Sequence, residues 1–305
     1  MTSPASIGVR TVLSTAAPAS ASAPAPATRR RRLRPWAFAA NTALAWAVAL
    51  IFSFPLLWTF FTALKPANEV FGQQIEFIGS EVLWSNFVDA WVEVDFGRLL
   101  LNSLTVALIS TALSVVIATL TAFAFSRLRF PGRDALFLLF IITLTLPIEI
   151  AVIPLYLGFD SVGLVDTWTA LILPGLFGAY GTFLLRQFML QIPAELEEAA
   201  KIDGASTGRI LVSVIMPLVR PALSVLAIFS FLGSWNSFLW PLIILNSSEK
   251  WTIPIGLAGF SGQTGTQWQL LMAGCVLTII PVVIVVAIAQ KQLVAAIGAG
   301  AFGGR

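Results

Sequence analysis

Six long apolar runs constrain this chain more than any other feature of its sequence. A stretch of about 20 apolar residues is the length that an α-helix needs to cross the hydrocarbon core of a bilayer. The composition agrees, since 57% of the residues are hydrophobic, 11% are charged and the mean hydropathy is +0.88. We therefore predict an all-α polytopic membrane protein with six transmembrane helices. The runs cover residues 36–64, 99–125, 135–158, 167–190, 211–245 and 270–290.

The distribution of Lys and Arg predicts which side of the membrane each loop faces. Five arginines within residues 29–34 precede the first run, and a cytoplasmic N-terminus places 15 of the 18 Lys and Arg residues on the cytoplasmic side. Basic residues concentrate in cytoplasmic loops. We expect a multi-pass membrane protein, in contact with lipid, with both termini in the cytoplasm. No nucleic-acid partner is expected, because arginines beside a transmembrane helix are typical of an orientation signal.

One charged segment lies between the fourth and fifth runs. Residues 192–206 read IPAELEEAAKIDGAS, and they predict a surface helix of about three turns, too short to cross a bilayer. Pro193 suits the first helical position, three glutamates follow where the helix dipole favours negative charge, and Gly204 suits the left-handed C-cap. An amphipathic helix lying on lipid headgroups is the alternative, although the glutamates oppose binding to an anionic leaflet.

This segment and three others carry a resemblance to a known family. EEAAKIDGAS followed by VIMPLVRPAL looks like the EAA loop of ATP-binding-cassette (ABC) importer permeases. The longer segments GTFLLRQFMLQIPAELEEAAKIDGAS, FLGSWNSFLWPL and GTQWQLLMAG resemble the carbohydrate-importer branch, specifically its maltose-type permease. The resemblance covers residues 98–305 and implies the type I ABC importer permease fold. Met216 departs from the family, which usually has Leu before the proline at 217.

Composition and resemblance together predict four parts of the chain. Residues 1–34 form a disordered Ala/Pro/Ser tail with the basic cluster, and residues 35–97 form the first transmembrane helix and an extracytoplasmic loop. Residues 98–291 form the permease transmembrane domain, with the EAA coupling loop at 192–217. Residues 292–305, rich in Gly, form a frayed cytoplasmic tail.

The resemblance implies a permease subunit of an ATP-driven, binding-protein-dependent importer for a sugar or sugar-like solute. Its partners would be an ABC ATPase dimer, a second homologous permease in a heterodimer and an extracytoplasmic solute-binding protein. The coupling helix would transmit closure of the ATPase to alternating access, and Glu198 would approach a basic residue of the ATPase. The other residues that the resemblance assigns to ATPase coupling are Ala199, Ala200, Asp203, Gly204 and Pro217.

Three residues within the runs are predicted to lie along the pathway of the transported solute. Glu149 is ionisable at membrane depth, where charge is costly, so it is expected to line the solute path or outer gate, or else to form a helix-to-helix hydrogen bond or lie at the interface. Asn236, beside Trp235, could face the pore and bind sugar hydroxyls. Tryptophan also forms interfacial belts, so a belt or packing role for Trp235 stays open.

The sequence argues against catalysis and metal binding. It contains no histidine and one cysteine, and no G-x-x-x-x-G-K-[ST] phosphate loop occurs. The chain is therefore predicted to have no catalytic, cofactor-binding or metal site, with ATP and Mg²⁺ held by the partner ATPase. The alternative function is an ion-driven secondary transporter, which would predict several ionisable residues inside the spans and an internal repeat.

Overall fold

The computed structural model describes residues 35–72, 76–262 and 265–302. The predicted N-terminal tail and its basic cluster, residues 1–34, lie outside the described residues. The chain divides into two units, residues 1–52 and 53–305. The described part of the first unit is the beginning of one long helix, which continues into the second unit.

The described residues of the second unit are mostly helical, with one short antiparallel hairpin in which Ser261 pairs with Thr266. Short 3₁₀ turns lie at Ala67–Glu69, Thr143–Thr145, Leu173–Phe177 and Ser248–Lys250, and a π-helical turn lies at Leu211–Ile215. The strands and helices are β1 Ser261–Gly262, β2 Gly265–Thr266, α1 Pro35–Ala63, α2 Ser85–Glu93, α3 Phe96–Arg127, α4 Arg133–Ile142, α5 Ile148–Ser161, α6 Trp168–Ile172, α7 Ala179–Leu190, α8 Glu195–Ile202, α9 Thr207–Ile210, α10 Met216–Leu218, α11 Arg220–Trp235, α12 Leu239–Ile244, α13 Ile253–Ala258 and α14 Trp268–Phe302.

The six apolar runs correspond to six membrane crossings if each bent helix pair is one span. Four segments of the described chain are long and apolar enough to cross a membrane by themselves, and two more do so as bent pairs. The third span bends by 107° after Thr145, and the fifth bends by 83° after Leu218. The four unbent spans are Ala39–Ala63, Phe96–Arg127, Trp168–Leu190 and Trp268–Gln290.

Prolines mark the breaks in these spans. Pro147 is the residue before α5 and Pro221 lies in the first turn of α11, where each lacks the N–H that would continue the preceding helix. In the fourth span, Pro174 and Gly175 lie in the 3₁₀ turn between α6 and α7. The prediction that Pro217 and Pro221 separate the beginning of the fifth run from its membrane part agrees with the bend after Leu218.

Two apolar cores stabilise opposite ends of the bundle. Helix α3 packs against α7 and α11, and α11 also packs against α14. The core near the beginning of α3 contains Phe96, Leu99, Phe231 and Trp235. The core near the end of α3 contains Phe123, Leu185, Met189, Ile210 and Ile215, among others. We call this second end, where α3 ends and α8 lies, the α8 end.

The last helix extends further than the sequence predicted. Residues 292–302 were expected as a frayed tail, yet their backbone continues α14. The alanines in AAIGAGAF favour helix enough to offset the two glycines in this stretch. Residues 303–305 lie outside the described residues.

A polar clip joins two loops at the end of the bundle opposite α8. Asp166, with a φ of +60°, accepts hydrogen bonds on Oδ1 from the backbone N–H groups of Asn246 and Ser247, at 3.0 and 3.1 Å. Its Oδ2 accepts from the Ser247 hydroxyl at 2.5 Å and pairs with the Lys250 ammonium at 2.9 Å. The Ser247 hydroxyl, and then Lys250, hold the pKa of Asp166 well below its usual value.

We expect this clip to make stability depend on pH in the acid range. A carboxyl whose pKa is depressed by folding stabilises the protein at every pH above its unfolded pKa, about 3.9, and this stabilisation is lost as the pH falls through the folded pKa. Asp166→Asn should therefore lower the thermal midpoint of the solubilised protein by roughly 3 °C at pH 7. The difference from the natural protein should shrink below about pH 4.

The control for the clip is Asp89→Asn, because the Asp89 carboxylate is exposed on α2 and makes no hydrogen bond or ion pair among the described residues. Its thermal midpoint should match that of the natural protein over the whole pH series. Equal midpoints for Asp166→Asn and Asp89→Asn at pH 7 would contradict the clip.

Candidate functional site

Helix α8 is a short charged helix set between the fourth and fifth spans. Glu195, Glu197 and Glu198 lie in its first turn and Lys201 in its last, an order that complements the helix dipole at both ends. The backbone N–H groups of Glu197 and Glu198 both bond the carbonyl of Ala194, each at 3.0 Å. The helix has 8 residues, about two turns, and is therefore shorter than the predicted three turns.

The N-terminus of α8 differs from the prediction for Pro193. Ala194 is the N-cap residue, so Pro193 lies just before the helix and not at its first helical position. The ring of Pro193 clashes with the backbone and Cβ of the preceding residue, which disfavours a helical conformation at Ile192. Pro193 therefore separates α8 from α7 instead of beginning α8.

The C-terminus of α8 confirms the predicted role of Gly204 as a left-handed cap. Gly204 has a φ of +80°, which an L side chain rarely adopts. Its N–H bonds the carbonyl of Lys201 at 3.0 Å, and the N–H of Ala205 bonds the carbonyl of Ala200 at 2.9 Å. These two bonds form a Schellman motif, which ends the helix sharply at Asp203.

One glutamate of the three points into the protein. Glu197 Oε1 lies 2.7 Å from Nε of Arg127, the last residue of α3, and the two side chains are only 11% and 12% exposed. The other arm of this guanidinium donates from Nη2 to the carbonyls of Met189 and Ile192, at 2.5 and 2.9 Å. Arg127 therefore holds together the ends of α3 and α7 and the first turn of α8.

The sequence reasoning missed this ion pair. In the sequence Arg127 is one of the 15 basic residues expected in the cytoplasm, and Glu197 is one of three glutamates in a single turn. The helical spacing of Glu197 from the half-buried Ala200 was the available signal, since residues three apart share a helix face. That spacing cannot name the partner, which is 70 residues earlier in the chain.

The opposite face of α8 is open. Glu198 and Ala199 are exposed, and the Glu198 carboxylate makes no hydrogen bond or ion pair within the part of the chain that the structure describes. Ile202 is 86% exposed and Leu196 is 46% exposed. A charged side chain flanked by bare apolar ones is a surface suited to a protein partner.

The other residues assigned to coupling differ in their exposure and in the helix that carries them. Asp203 and Gly204 are exposed, and Ala200 is half-buried against the core of the α8 end. Pro217 is exposed within α10, directly before the 83° bend of the fifth span. The assignment of these residues to ATPase coupling stays a prediction.

The three residues predicted to lie along the solute pathway have different surroundings. Trp235 is 1% exposed and stacks on Phe231, with ring centroids 5.6 Å apart. Asn236 is exposed and its Nδ2 donates to the carbonyl of Leu232 at 2.9 Å. Glu149 is exposed in the first turn of α5. Among the described residues no hydrogen bond or ion pair joins Glu149 to the other two, and the assignment of all three to a solute path stays a prediction.

Within the described ranges, no cluster of three or more His, Cys, Asp or Glu residues could hold a metal ion. What the site offers is a mechanical arrangement. An exposed helix face is fixed by a buried ion pair to the ends of two membrane helices, so a displacement of α8 acts directly on α3 and α7.

Comparison with known proteins decides the family. The family described as "Binding-protein-dependent transport system inner membrane component" matches residues 114–298, more than half of the chain. The chain belongs to this family. As a member of the binding-protein-dependent transport family it is an inner-membrane component of a transporter, not an enzyme. The family assignment confirms the sequence-based resemblance and supports an importer permease over the ion-driven secondary transporter.

Curated relatives of the family agree over most of the chain. It is 35% identical over 260 residues to the arabinooligosaccharides transport system permease protein AraQ of Halalkalibacterium halodurans, covering 83% of this chain and 92% of that protein. It is 37% identical over 254 residues to the sn-glycerol-3-phosphate transport system permease protein UgpE of Agrobacterium fabrum, covering 80% and 90%.

A solved structure supports the fold. A chain of a bacterial ABC transporter involved in the import of the acidic polysaccharide alginate superimposes with a TM-score of 0.72 at 24% identity, over 83% of this chain and 95% of that one. The predicted all-α fold of an ABC importer permease is confirmed.

Proposed function

We propose that this chain is a permease subunit of an ATP-driven importer whose solute is a sugar or a sugar-like compound. The observation that carries the proposal is the exposed face of α8, held by the buried Arg127–Glu197 pair. Two relatives are named for arabinooligosaccharides and sn-glycerol 3-phosphate, and both kinds of compound carry several hydroxyl groups. This shared chemistry supports a polyhydroxylated solute.

The face of α8 docks in a cleft of an ABC ATPase, with Glu198 beside a basic residue of that partner. Ala199 permits close approach, while Leu196 and Ile202 lose their exposure to water on docking. ATP and Mg²⁺ bind to the ATPase dimer, and closure of that dimer displaces α8. Because Arg127 joins α8 to α3 and α7, the displacement moves two membrane helices together and changes the side from which the solute is accessible.

The proposed function also implies an orientation of the chain in the membrane and two further protein partners. Both termini and α8 lie in the cytoplasm, as the concentration of 15 of the 18 basic residues on that side supports. The opposite end of the bundle, with the Asp166 clip, receives an extracytoplasmic solute-binding protein. A second homologous permease completes the solute path as a heterodimer with this chain.

The proposal is tested by mass spectrometry of the proteins that co-purify with the gently solubilised chain, followed by reconstitution of the recovered complex in vesicles. We expect an ABC ATPase, a second EAA-bearing permease and a solute-binding protein, and we expect uptake that requires ATP. Uptake driven by an ion gradient without ATP, with the chain recovered alone, would refute the proposed function.

A further inference from the structure

A cavity of about 490 Å³ lies between α3, the broken fourth span, α11 and α12. Its volume falls within the range of roughly 300–1,000 Å³ that is typical of small-molecule sites. None of the residues that line it is charged. Hydroxyl groups converge on it from four parts of the chain, contributed by Ser110, Ser114, Ser230, Ser234, Ser237 and Thr252.

Thr252 provides evidence that a polar partner belongs in this cavity. Its side chain is buried, with 5% exposure, and its Oγ1 makes no hydrogen bond within the described part of the chain. A buried hydroxyl without a partner loses its bonds to water and gains nothing in return. A molecule that enters the cavity and bonds this hydroxyl removes that penalty.

Two serine hydroxyls of the cavity lack the hydrogen bond to their own helix that threonine hydroxyls of α3 make. Thr111, Thr119 and Thr121 of α3 each donate to the carbonyl four residues earlier, at 2.6 to 2.7 Å. This back-bonding is the usual arrangement in membrane helices. Ser110 on α3 and Ser234 on α11 make no such bond among the described residues, so their hydroxyls remain available to a solute.

The fourth span adds backbone acceptors to these donors. The 3₁₀ turn Leu173–Phe177 interrupts the helix where Pro174 and Gly175 line the cavity. Non-helical backbone at membrane depth is tolerated where it is buried in protein or lines a water-filled cavity, since its freed peptide groups find partners there. Among the described residues, the Gly175 carbonyl accepts a long hydrogen bond of 3.4 Å from the Ser114 hydroxyl, and a carbonyl oxygen has a second lone pair for another donor.

Charge decides which solutes this cavity accepts. A phosphate or carboxylate would be buried here without a lysine or arginine to pair with it, which is strongly unfavourable. A sugar has neutral hydroxyls for the serines, Thr252 and the freed carbonyls, and it has apolar C–H faces that pack on aromatic rings such as Trp240.

We propose that this cavity binds an uncharged, polyhydroxylated part of the transported solute, with Thr252, Ser110 and Ser234 bonding its hydroxyls. The inference rests on the proposed function and narrows the class of transported solute. The transporter takes neutral saccharides in preference to an anionic sugar phosphate, although one of its relatives is named for sn-glycerol 3-phosphate.

The test uses the complete transporter reconstituted in vesicles, with an arabinose trisaccharide and sn-glycerol 3-phosphate as probes. We expect ATP-driven uptake of the trisaccharide in preference to the phosphate. Thr252→Val removes one hydroxyl without changing the shape of the side chain, and it should raise the KM for the trisaccharide about tenfold, the value of one hydrogen bond, while leaving kcat nearly unchanged. Thr119→Val is the matched control, since Thr119 is equally buried but bonded within its own helix.

Two outcomes overturn the inference while leaving the proposed function intact. These are ATP-driven uptake of sn-glycerol 3-phosphate in preference to the trisaccharide, or an unchanged KM in Thr252→Val. The proposed function itself fails only if ATP drives no uptake at all.

A second measurement does not depend on uptake. Ser234→Cys, in a Cys275→Ala background, is labelled with a water-soluble maleimide in the presence and absence of the trisaccharide. Labelling that the trisaccharide slows, and that sn-glycerol 3-phosphate does not slow, supports the cavity site. No labelling, or labelling that the trisaccharide leaves unchanged, overturns it, because the cavity then holds lipid or does not bind the saccharide.

Discussion

The variant Glu197→Met is expected to lose most ATP-driven uptake, because it leaves the Arg127 guanidinium buried without its anion. Removing one partner of a buried ion pair destabilises a protein by about 3–5 kcal/mol. Among the described residues, the Arg127–Glu197 pair is the one ion pair that joins α8 to the end of α3, and Glu197→Met removes it. The measurement is ATP-driven uptake by the reconstituted transporter, together with the thermal midpoint of the purified complex.

The double variant Arg127→Met, Glu197→Met separates stability from coupling. Replacement of both members of a buried ion pair by apolar side chains is often close to neutral for stability, so the double variant should recover part of the thermal midpoint that Glu197→Met loses. Its uptake should stay low, since the ion pair and the carbonyl hydrogen bonds by which Arg127 ties α8 to the ends of α3 and α7 are then lost. Full uptake in the double variant would show that the pair only stabilises the fold.

The control for this series is Glu195→Met. Glu195 lies in the same turn of α8 but is exposed, and its carboxylate makes no hydrogen bond or ion pair among the described residues. Its uptake and its thermal midpoint should stay close to those of the natural chain. Losses as large as those of Glu197→Met would mean that negative charge in the first turn matters, and not the ion pair.

Glu198→Lys is expected to abolish uptake without affecting the amount of the chain in the membrane. Because the Glu198 side chain is exposed and has no partner within the described residues, the fold does not depend on it. A lysine there would repel the basic residue proposed in the ATPase cleft, and juxtaposed like charges at an interface cost several kcal/mol. The amount of ATPase that co-purifies with the chain, measured by mass spectrometry, should fall in parallel with uptake.

Substitutions of Gly204 test the same docking helix through its backbone. Gly204→Pro cannot adopt a φ of +80° and lacks the N–H that bonds Lys201, so the Schellman motif should be lost along with uptake. Gly204→Asn should retain most uptake, because asparagine tolerates the left-handed conformation. Unchanged uptake in Gly204→Pro or Glu198→Lys would count against coupling through α8.

The elements that could be predicted from the sequence have local causes. The length of the apolar runs determines the spans, and the left-handed Gly204 follows from a glycine placed after a charged helix. The break at the beginning of the fifth span also has a local cause, in Pro217 and Pro221. Each of these features depends on residues that are neighbours in the chain.

The elements that could not be predicted depend on contacts across the chain. The Arg127–Glu197 pair and the Asp166–Lys250 clip join residues separated by 70 and 84 positions, and nothing in the local sequence names either partner. The cavity between α3 and α11 likewise exists only after the helices pack. Pro193 was misplaced for a different reason, since proline suits both the first turn of a helix and the residues just before it.

The guanidinium of Arg127 has a consequence for building hybrid transporters. A coupling segment taken as residues 192–217 contains Glu197 but not its counter-charge, which is on another helix and encoded far upstream. A chimera that receives this segment from another permease places the donor's residue at position 197 opposite the resident Arg127. The two side chains then need not carry opposite charges. In this chain the coupling segment therefore includes position 127 as well as residues 192–217. Both parts must come from the same parent for a hybrid to respond to its ATPase.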